Sequence, residues 1–152
     1  MTDYTALRRE LEARTEGVPH AIANLANASA LIRQRLEELN WAGFYLMQDG
    51  KLVLGPFQGK PACIEIAPGR GVCGTAVQRR EPVLVPDVHA FPGHIACDGD
   101  SRSELVIPIF RGEEVWGVLD LDSPREGRFT EADREGLEAC VRTLERALFP
   151  GV

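Results

Sequence analysis

The spacing of apolar residues predicts two helices before residue 40. Residues 4–14 have the pattern of a short helix. In residues 20–39, apolar side chains recur at three- and four-residue steps, which is the period of one helix face. That face consists of Ile22, Leu25, Ala28, Ile32, Leu36 and Leu39. We expect it to pack against a core.

After residue 40 the pattern changes to that of strands. Residues 41–48 and 51–57 are strand-like and meet at Asp49-Gly50, a dipeptide that favours a tight hairpin. Residues 104–110 and 114–122 predict a second hairpin around residues 111–113. Three short elements are predicted between the hairpins: a strand at 64–66, a helix at 72–80 and a strand at 82–85.

The last element is a helix at 131–148, which Thr130 is placed to cap. Its apolar face consists of Leu137, Val141, Leu144 and Leu148. Residues 86–103 form a loop rich in Pro, Gly, Asp and His, and loops of that length are usually functional or disordered.

The order of elements predicts one domain over residues 1–152 with an α+β fold. Hairpins produce an antiparallel sheet, and the N- and C-terminal helices must cover one of its faces. The central loops are then free to form a pocket on the other face. No internal repeat or long linker interrupts the chain.

Composition narrows the possible partners. The net charge of −6 argues against nucleic acid or an anionic membrane as the main partner. No apolar stretch is long enough to span a membrane, and residues 1–15 alternate charges without a secretion signal. We therefore expect a cytoplasmic protein, in which the four cysteines are buried, metal-bound or catalytic rather than structural disulfides.

Three cysteine-containing segments carry a specific resemblance. They are GPFQGKPAC at 55–63, GRGVCG at 69–74 and DVHAFPGHIACD at 87–98, with Ser103-Glu104 following. These segments resemble the free methionine-(R)-sulfoxide reductases, which are single GAF domains. The resemblance covers nearly the whole chain and is densest from residue 41 to residue 122.

The resemblance implies roles for three thiols. Cys97 matches the nucleophile that attacks the sulfur of free methionine-(R)-sulfoxide, and Cys63 matches the cysteine that resolves the resulting sulfenic acid. Cys73 matches a third cysteine that can join disulfide exchange, so the main resolving thiol stays open. The resemblance further implies regeneration by thioredoxin, no metal or other bound cofactor, and a homodimer built on the helical face.

The resemblance also implies a substrate site. Trp41 and Tyr45 match the aromatic residues around the substrate methyl group, and four residues apart on one strand they share a face. Glu104, Asp120 and Asp122 match the acids that bind substrate and supply protons. Which acid protonates the sulfoxide and which acids bind the ammonium group stays open.

Strand geometry restricts how the acids can meet. Asp120 and Asp122 are two apart and point to one face of a strand. Glu104 begins the partner strand. It shares that face only if the connection at 111–113 has an odd number of residues, or if a bulge near Pro108 corrects the register.

Local chemistry gives opposite expectations for two thiols. Cys73 lies near the start of a predicted helix, where the dipole favours thiolate. Asp98 beside Cys97 disfavours thiolate unless it points away or His94 or a local dipole offsets it. Cys140 falls on the apolar side of the last helix and is expected in the core.

Two other functions compete with the reductase. Three cysteines and two histidines between residues 63 and 97 could bind zinc, but the tight ligand pairs of structural zinc sites are missing. A non-catalytic GAF domain that binds a small ligand as a sensor is the alternative, because a fold alone does not determine function. His89 and His94 receive no assigned role.

Overall fold

A single antiparallel sheet of six strands organises the chain, which the computed structural model describes from residue 1 to residue 152. The elements follow in the order α1 (Tyr4–Thr15), α2 (Ala21–Arg35), β1 (Trp41–Gln48), β2 (Lys51–Gly59), β3 (Glu65–Ile66), α3 (Gly71–Arg79), β4 (Val83–Val85), β5 (Ser103–Arg111), β6 (Glu114–Ser123) and α4 (Glu131–Leu148). Across the sheet the strands lie in the order β3-β2-β1-β6-β5-β4. The predicted α+β class with two hairpins is confirmed.

Helices α2 and α4 pack on one face of the sheet and α1 packs against both of them, so the N- and C-terminal helices lie on one side, as the sequence predicted. A core of 20 buried residues lies there and includes Leu25, Phe44, Leu119 and Leu137. Helix α4 begins as expected, with a capping box in which Thr130 and Asp133 each bind the other's backbone N–H. No helix of the chain is both long and apolar enough to cross a membrane.

Helix α2 is shorter than its apolar pattern predicted. It ends at Arg35, and Leu36 and Leu39 are buried from the segment that follows it. Ile22 was assigned to the buried face but is 64% exposed. At about 100° per residue, Ile22 points to one side of the arc that buries Leu25 and Ile32.

The opposite face carries a second core of 12 residues, covered by α3 and the long loop. It contains Trp41, Tyr45 and Cys73. The loop at 86–102 is irregular except for a 3-10 turn at Val88–Ala90. The pocket-bearing face is therefore the one that the three long helices leave free.

A bulge in the β5–β6 hairpin brings the acids to this face. The connection contains two residues, Gly112 and Glu113, so of the two alternatives the bulge applies and the odd-numbered connection does not. Ile109 lies opposite Gly117, whereas the next residue of β5 lies opposite Val115. Trp116 is therefore the extra residue of a bulge next to Pro108.

The bulge shifts the pairing by one residue. Beyond it, Glu104 lies opposite Asp122, and Val106 lies opposite Asp120. Without the extra residue, Glu104 would lie opposite Leu121, and both aspartates would point into the helix-covered core. The bulge thus produces the register that places Glu104 on the same face as Asp120 and Asp122.

We predict that Gly43→Ala destabilises the chain. A Cβ at this position would lie 2.3 Å from the Cβ of Phe57 and 2.9 Å from the ring of Trp41. The strands would have to separate, at a cost of about 1–3 kcal/mol in the free energy of unfolding. Urea denaturation measures this, with Gly99→Ala as control because a Cβ there meets nothing within 4 Å. Equal midpoints for the two variants would contradict the prediction.

Candidate active site

Most of the predicted site residues line a pocket on the face of the sheet that the long helices leave free. Seven of the eight line it: Trp41, Tyr45, Cys73, Cys97, Glu104, Asp120 and Asp122. The eighth, Cys63, lies at its edge, joined to Cys97 by a disulfide with a Cα–Cα distance of 5.5 Å. Six separate segments of the chain contribute these eight side chains, so the fold and not local sequence creates the site.

The long loop that carries Cys97 is tied to residues at the ends of β1 and β2 by contacts just after Cys97. Asn40 Nδ2 donates hydrogen bonds of 3.0 Å to Asp98 Oδ2 and to Ser101 Oγ. Lys60 Nζ pairs with Asp100 at 2.7 Å, close in sequence to Cys63. The two cysteine segments are therefore held against each other by contacts that the sequence did not reveal.

The Asp98 carboxylate, next to Cys97, is held by hydrogen bonds to both of its oxygens. Its Oδ1 accepts the backbone N–H of Asp100 at 2.9 Å, and Oδ2 accepts the bond from Asn40. These hydrogen bonds hold the pKa of Asp98 below its usual value. The carboxylate next to Cys97 is thus committed to the loop's own backbone and to the start of β1.

Cys73 does not have the environment that its helix position suggested. It is 4% exposed, and burial raises the pKa of its thiol well above the usual value. The charges of Asp120 and Glu104 raise this pKa further. The expectation of a dipole-stabilised thiolate is wrong, because desolvation and the neighbouring acids act in the opposite direction.

The three acids form one buried cluster. Glu104 and Asp120 are 7% and 5% exposed, and Asp122 is half-buried. Burial raises the pKa of all three carboxyls, and the charge of Asp120 raises the pKa of Glu104 and Asp122 further. For Asp120, hydrogen bonding from Glu104 and Cys73 opposes the rise in pKa. Asp120 is consequently the acid that this arrangement favours as the anion.

The aromatic side of the pocket also supports the Cys63 segment. Trp41 stacks on Tyr45 with ring centroids 5.9 Å apart, and on Phe57 at 5.2 Å. Trp41 Nε1 donates to the carbonyl of Lys60 at 3.1 Å, and the Tyr45 hydroxyl donates to the carbonyl of Cys63 at 2.9 Å. Both aromatic residues therefore touch the pocket and fix the backbone beside the disulfide.

His94 lines the pocket, although no role was predicted for it. Its Nε2 lies 4.0 Å from Glu104 Oε1, and its side chain is 15% exposed. Burial lowers the pKa of His94. The only signal in the sequence was its position three residues before Cys97, in the segment that carried the resemblance.

The chain is similar to known proteins over most of its length. The GAF domain family matches residues 13–148. A free methionine-R-sulfoxide reductase of Escherichia coli is 52% identical over 145 residues, covering 95% of this chain and 88% of the relative. One from Saccharomyces cerevisiae is 42% identical, with coverage of 90% and 80%.

A solved structure agrees with these relatives. The free methionine-R-sulfoxide reductase from Neisseria meningitidis, in complex with its substrate, superposes with a TM-score of 0.92 at 40% identity. It covers 95% of this chain and 86% of its own. The chain therefore belongs to the free methionine-R-sulfoxide reductase family of GAF domains, as the cysteine segments indicated.

We predict that the buried acids make stability depend on pH. Because burial favours protonated Glu104, the folded chain keeps a proton that the unfolded chain loses above the ordinary pKa of glutamate. The free energy of unfolding should fall as pH rises from that value toward the raised pKa. Glu104→Gln should reduce this dependence and gain about 1.4 kcal/mol over the wild type for each unit of raised pKa.

Urea titrations between about pH 5 and about pH 9 measure the effect. Glu81→Gln is the matched control, since it makes the same substitution at an exposed position. A Glu104→Gln protein with the wild-type pH dependence would contradict the prediction.

Proposed function

We propose that this chain reduces free methionine-(R)-sulfoxide to methionine, with Cys97 as the nucleophile. The observation that carries the proposal is the Cys63–Cys97 disulfide at the edge of a pocket whose other end is a cluster of buried carboxyls. Sulfoxide reduction needs both a thiol that is oxidised and a second thiol that rescues it, together with a source of protons. Two relatives named free methionine-R-sulfoxide reductase, matched over 95% and 90% of this chain, support the substrate assignment.

The reaction balances on two thiols of this chain. The Cys97 thiolate attacks the substrate sulfur while the sulfoxide oxygen is protonated. The oxygen is transferred to Cys97 as a sulfenic acid, and methionine leaves with two more electrons than the sulfoxide had. The Cys63 thiol then attacks the sulfenic sulfur, forming the disulfide and releasing water.

In this proposal, two of the three acids donate protons and the third is an anion. Glu104 and Asp122, whose pKa values burial and Asp120 raise, are the protonated carboxyls that donate to the sulfoxide oxygen. Asp120 is the carboxylate that binds the substrate ammonium. Trp41 and Tyr45 form the apolar wall for the methyl–sulfur end.

We assign the resolving role to Cys63 rather than Cys73. Cys63 is half-buried beside Cys97 and is bonded to it, whereas Cys73 is a free thiol inside the second core. The raised pKa of Cys73 further reduces its thiolate, which is the form that attacks disulfides.

Regeneration by thioredoxin is part of the proposal, as are a homodimer on the helical face and a cytoplasmic location. Both disulfide cysteines are half-buried rather than enclosed, so an external dithiol can reach one of the two sulfurs. The two thiols of the reductant supply two electrons and become a disulfide, which leaves Cys63 and Cys97 reduced.

The decisive assay couples the chain to thioredoxin, thioredoxin reductase and NADPH. Pure free methionine-(R)-sulfoxide should drive steady loss of NADPH absorbance, and the S epimer should not. Cys97→Ser should reduce the rate to background, whereas Cys140→Ser should keep it, since Cys140 is buried in the opposite core. A flat trace with the R epimer would reject the reductase in favour of a non-catalytic GAF domain.

The resolving step has its own test. Cys63→Ser should still form one methionine per chain in a single turnover, because the attack on sulfur needs only Cys97. Its sulfenic acid should then persist and be trapped by dimedone, followed by mass spectrometry. Cys73→Ser should instead form the disulfide and show no trapped product. The reverse pattern would assign resolution to Cys73.

A further inference from the structure

We propose that Cys73, Glu104 and Asp120 form a site for a thiophilic divalent metal ion such as Zn²⁺ or Cd²⁺. The proposal concerns the acid end of the pocket. It rests on the proposed function only in that the ion would exclude the substrate ammonium from Asp120. The ligands proposed here are one thiol and two carboxylates, not the cysteines and histidines that the sequence offers for zinc.

The three donors converge from separate elements. Cys73 Sγ and one carboxylate oxygen each from Glu104 and Asp120 lie within 4.8 Å of one another, and all three residues are buried. Zinc bonds of about 2.3 Å to sulfur and about 2.1 Å to oxygen place tetrahedral donors roughly 3.5 Å apart. A bound ion would therefore draw the three donors closer together by at most about 1.3 Å.

One buried oxygen of this cluster has no hydrogen-bond partner. Asp120 Oδ1 is buried and accepts no hydrogen bond, although the residue lines the pocket. A buried polar atom without a partner is costly and is rare in native proteins. A metal ion bound to this oxygen would satisfy it directly.

The charge around the donors favours a divalent ion. The pocket lining contains four acidic residues and no lysine or arginine, and His94 is its only basic side chain. As the metal ion binds, the Cys73 thiol and the protonated Glu104 carboxyl each pass a proton to water, which leaves one thiolate and two carboxylates around the cation. A soft thiolate selects Zn²⁺ or Cd²⁺ over Mg²⁺ and Ca²⁺, which prefer oxygen donors only.

The oxidised protein isolates this site for an experiment. With Cys63 and Cys97 joined, the only free thiols are Cys73 and Cys140. Titration with Cd²⁺ should then produce a thiolate-to-cadmium charge-transfer absorption that saturates at one ion per chain. Cys73→Ser should abolish the band, and Cys140→Ser should leave it intact.

Two further variants guard against a misfolded Cys73→Ser protein. Glu104→Gln and Asp120→Asn should each weaken Zn²⁺ binding, measured by calorimetry, by about a hundredfold or more, since even outer-shell partners of a metal are worth about 10–100-fold. Circular dichroism checks that each variant is folded. No band in the oxidised wild type, or a band that survives Cys73→Ser, would overturn the site.

Competition tests the overlap with the proposed substrate position. Free methionine should weaken Cd²⁺ binding more than glycine at the same concentration, because both chelate through the amino-acid group but only methionine fits the pocket. Equal effects would overturn the overlap. A cadmium band in a protein without sulfoxide reductase activity would retain the metal site and reject the function, so the two failures are distinguishable.

Discussion

The extra residue in β6, Trp116, determines which face of the sheet carries the chemistry. Side chains alternate along a strand, so a shift of one residue exchanges the two faces completely. With the bulge, Glu104 lies beside Asp122 on the pocket face of the sheet, and Leu119 and Leu121 enter the helix-covered core. Each residue of β6 is thereby placed where its polarity fits.

The two faces of the sheet support each other energetically. Burying several carboxyls close together opposes folding, because desolvation and mutual repulsion both act against the charged forms. The apolar core under the three long helices contains none of these groups, and its burial supplies the main favourable contribution to stability. An acid cluster of this kind therefore requires a well-packed opposite face, which Phe44 and Leu137 help to provide.

The sequence predicted the elements well where the signal is local. Asp49-Gly50 and the cap at Thr130 each act within a few residues, and the structure confirms the hairpin and the helix they indicate. The sequence did not predict that Asn40 would hold the Cys97 loop. Nor did it predict that burial would reverse the expected pKa shift of Cys73. These depend on distant segments meeting in space, which no local pattern encodes. Similarly, the pairing of Cys63 with Cys97 depends on how two loops are positioned.

The hydrogen bonds from Trp41 and Tyr45 to the carbonyls of residues 60 and 63 join two parts of the site that could have been separate. The surface offered to a ligand and the backbone that positions a redox thiol rest on the same two side chains. Selection for a different ligand at this wall would therefore alter the geometry of disulfide formation as well. A substitution at Trp41 or Tyr45 would change the pocket wall and the backbone beside the disulfide together.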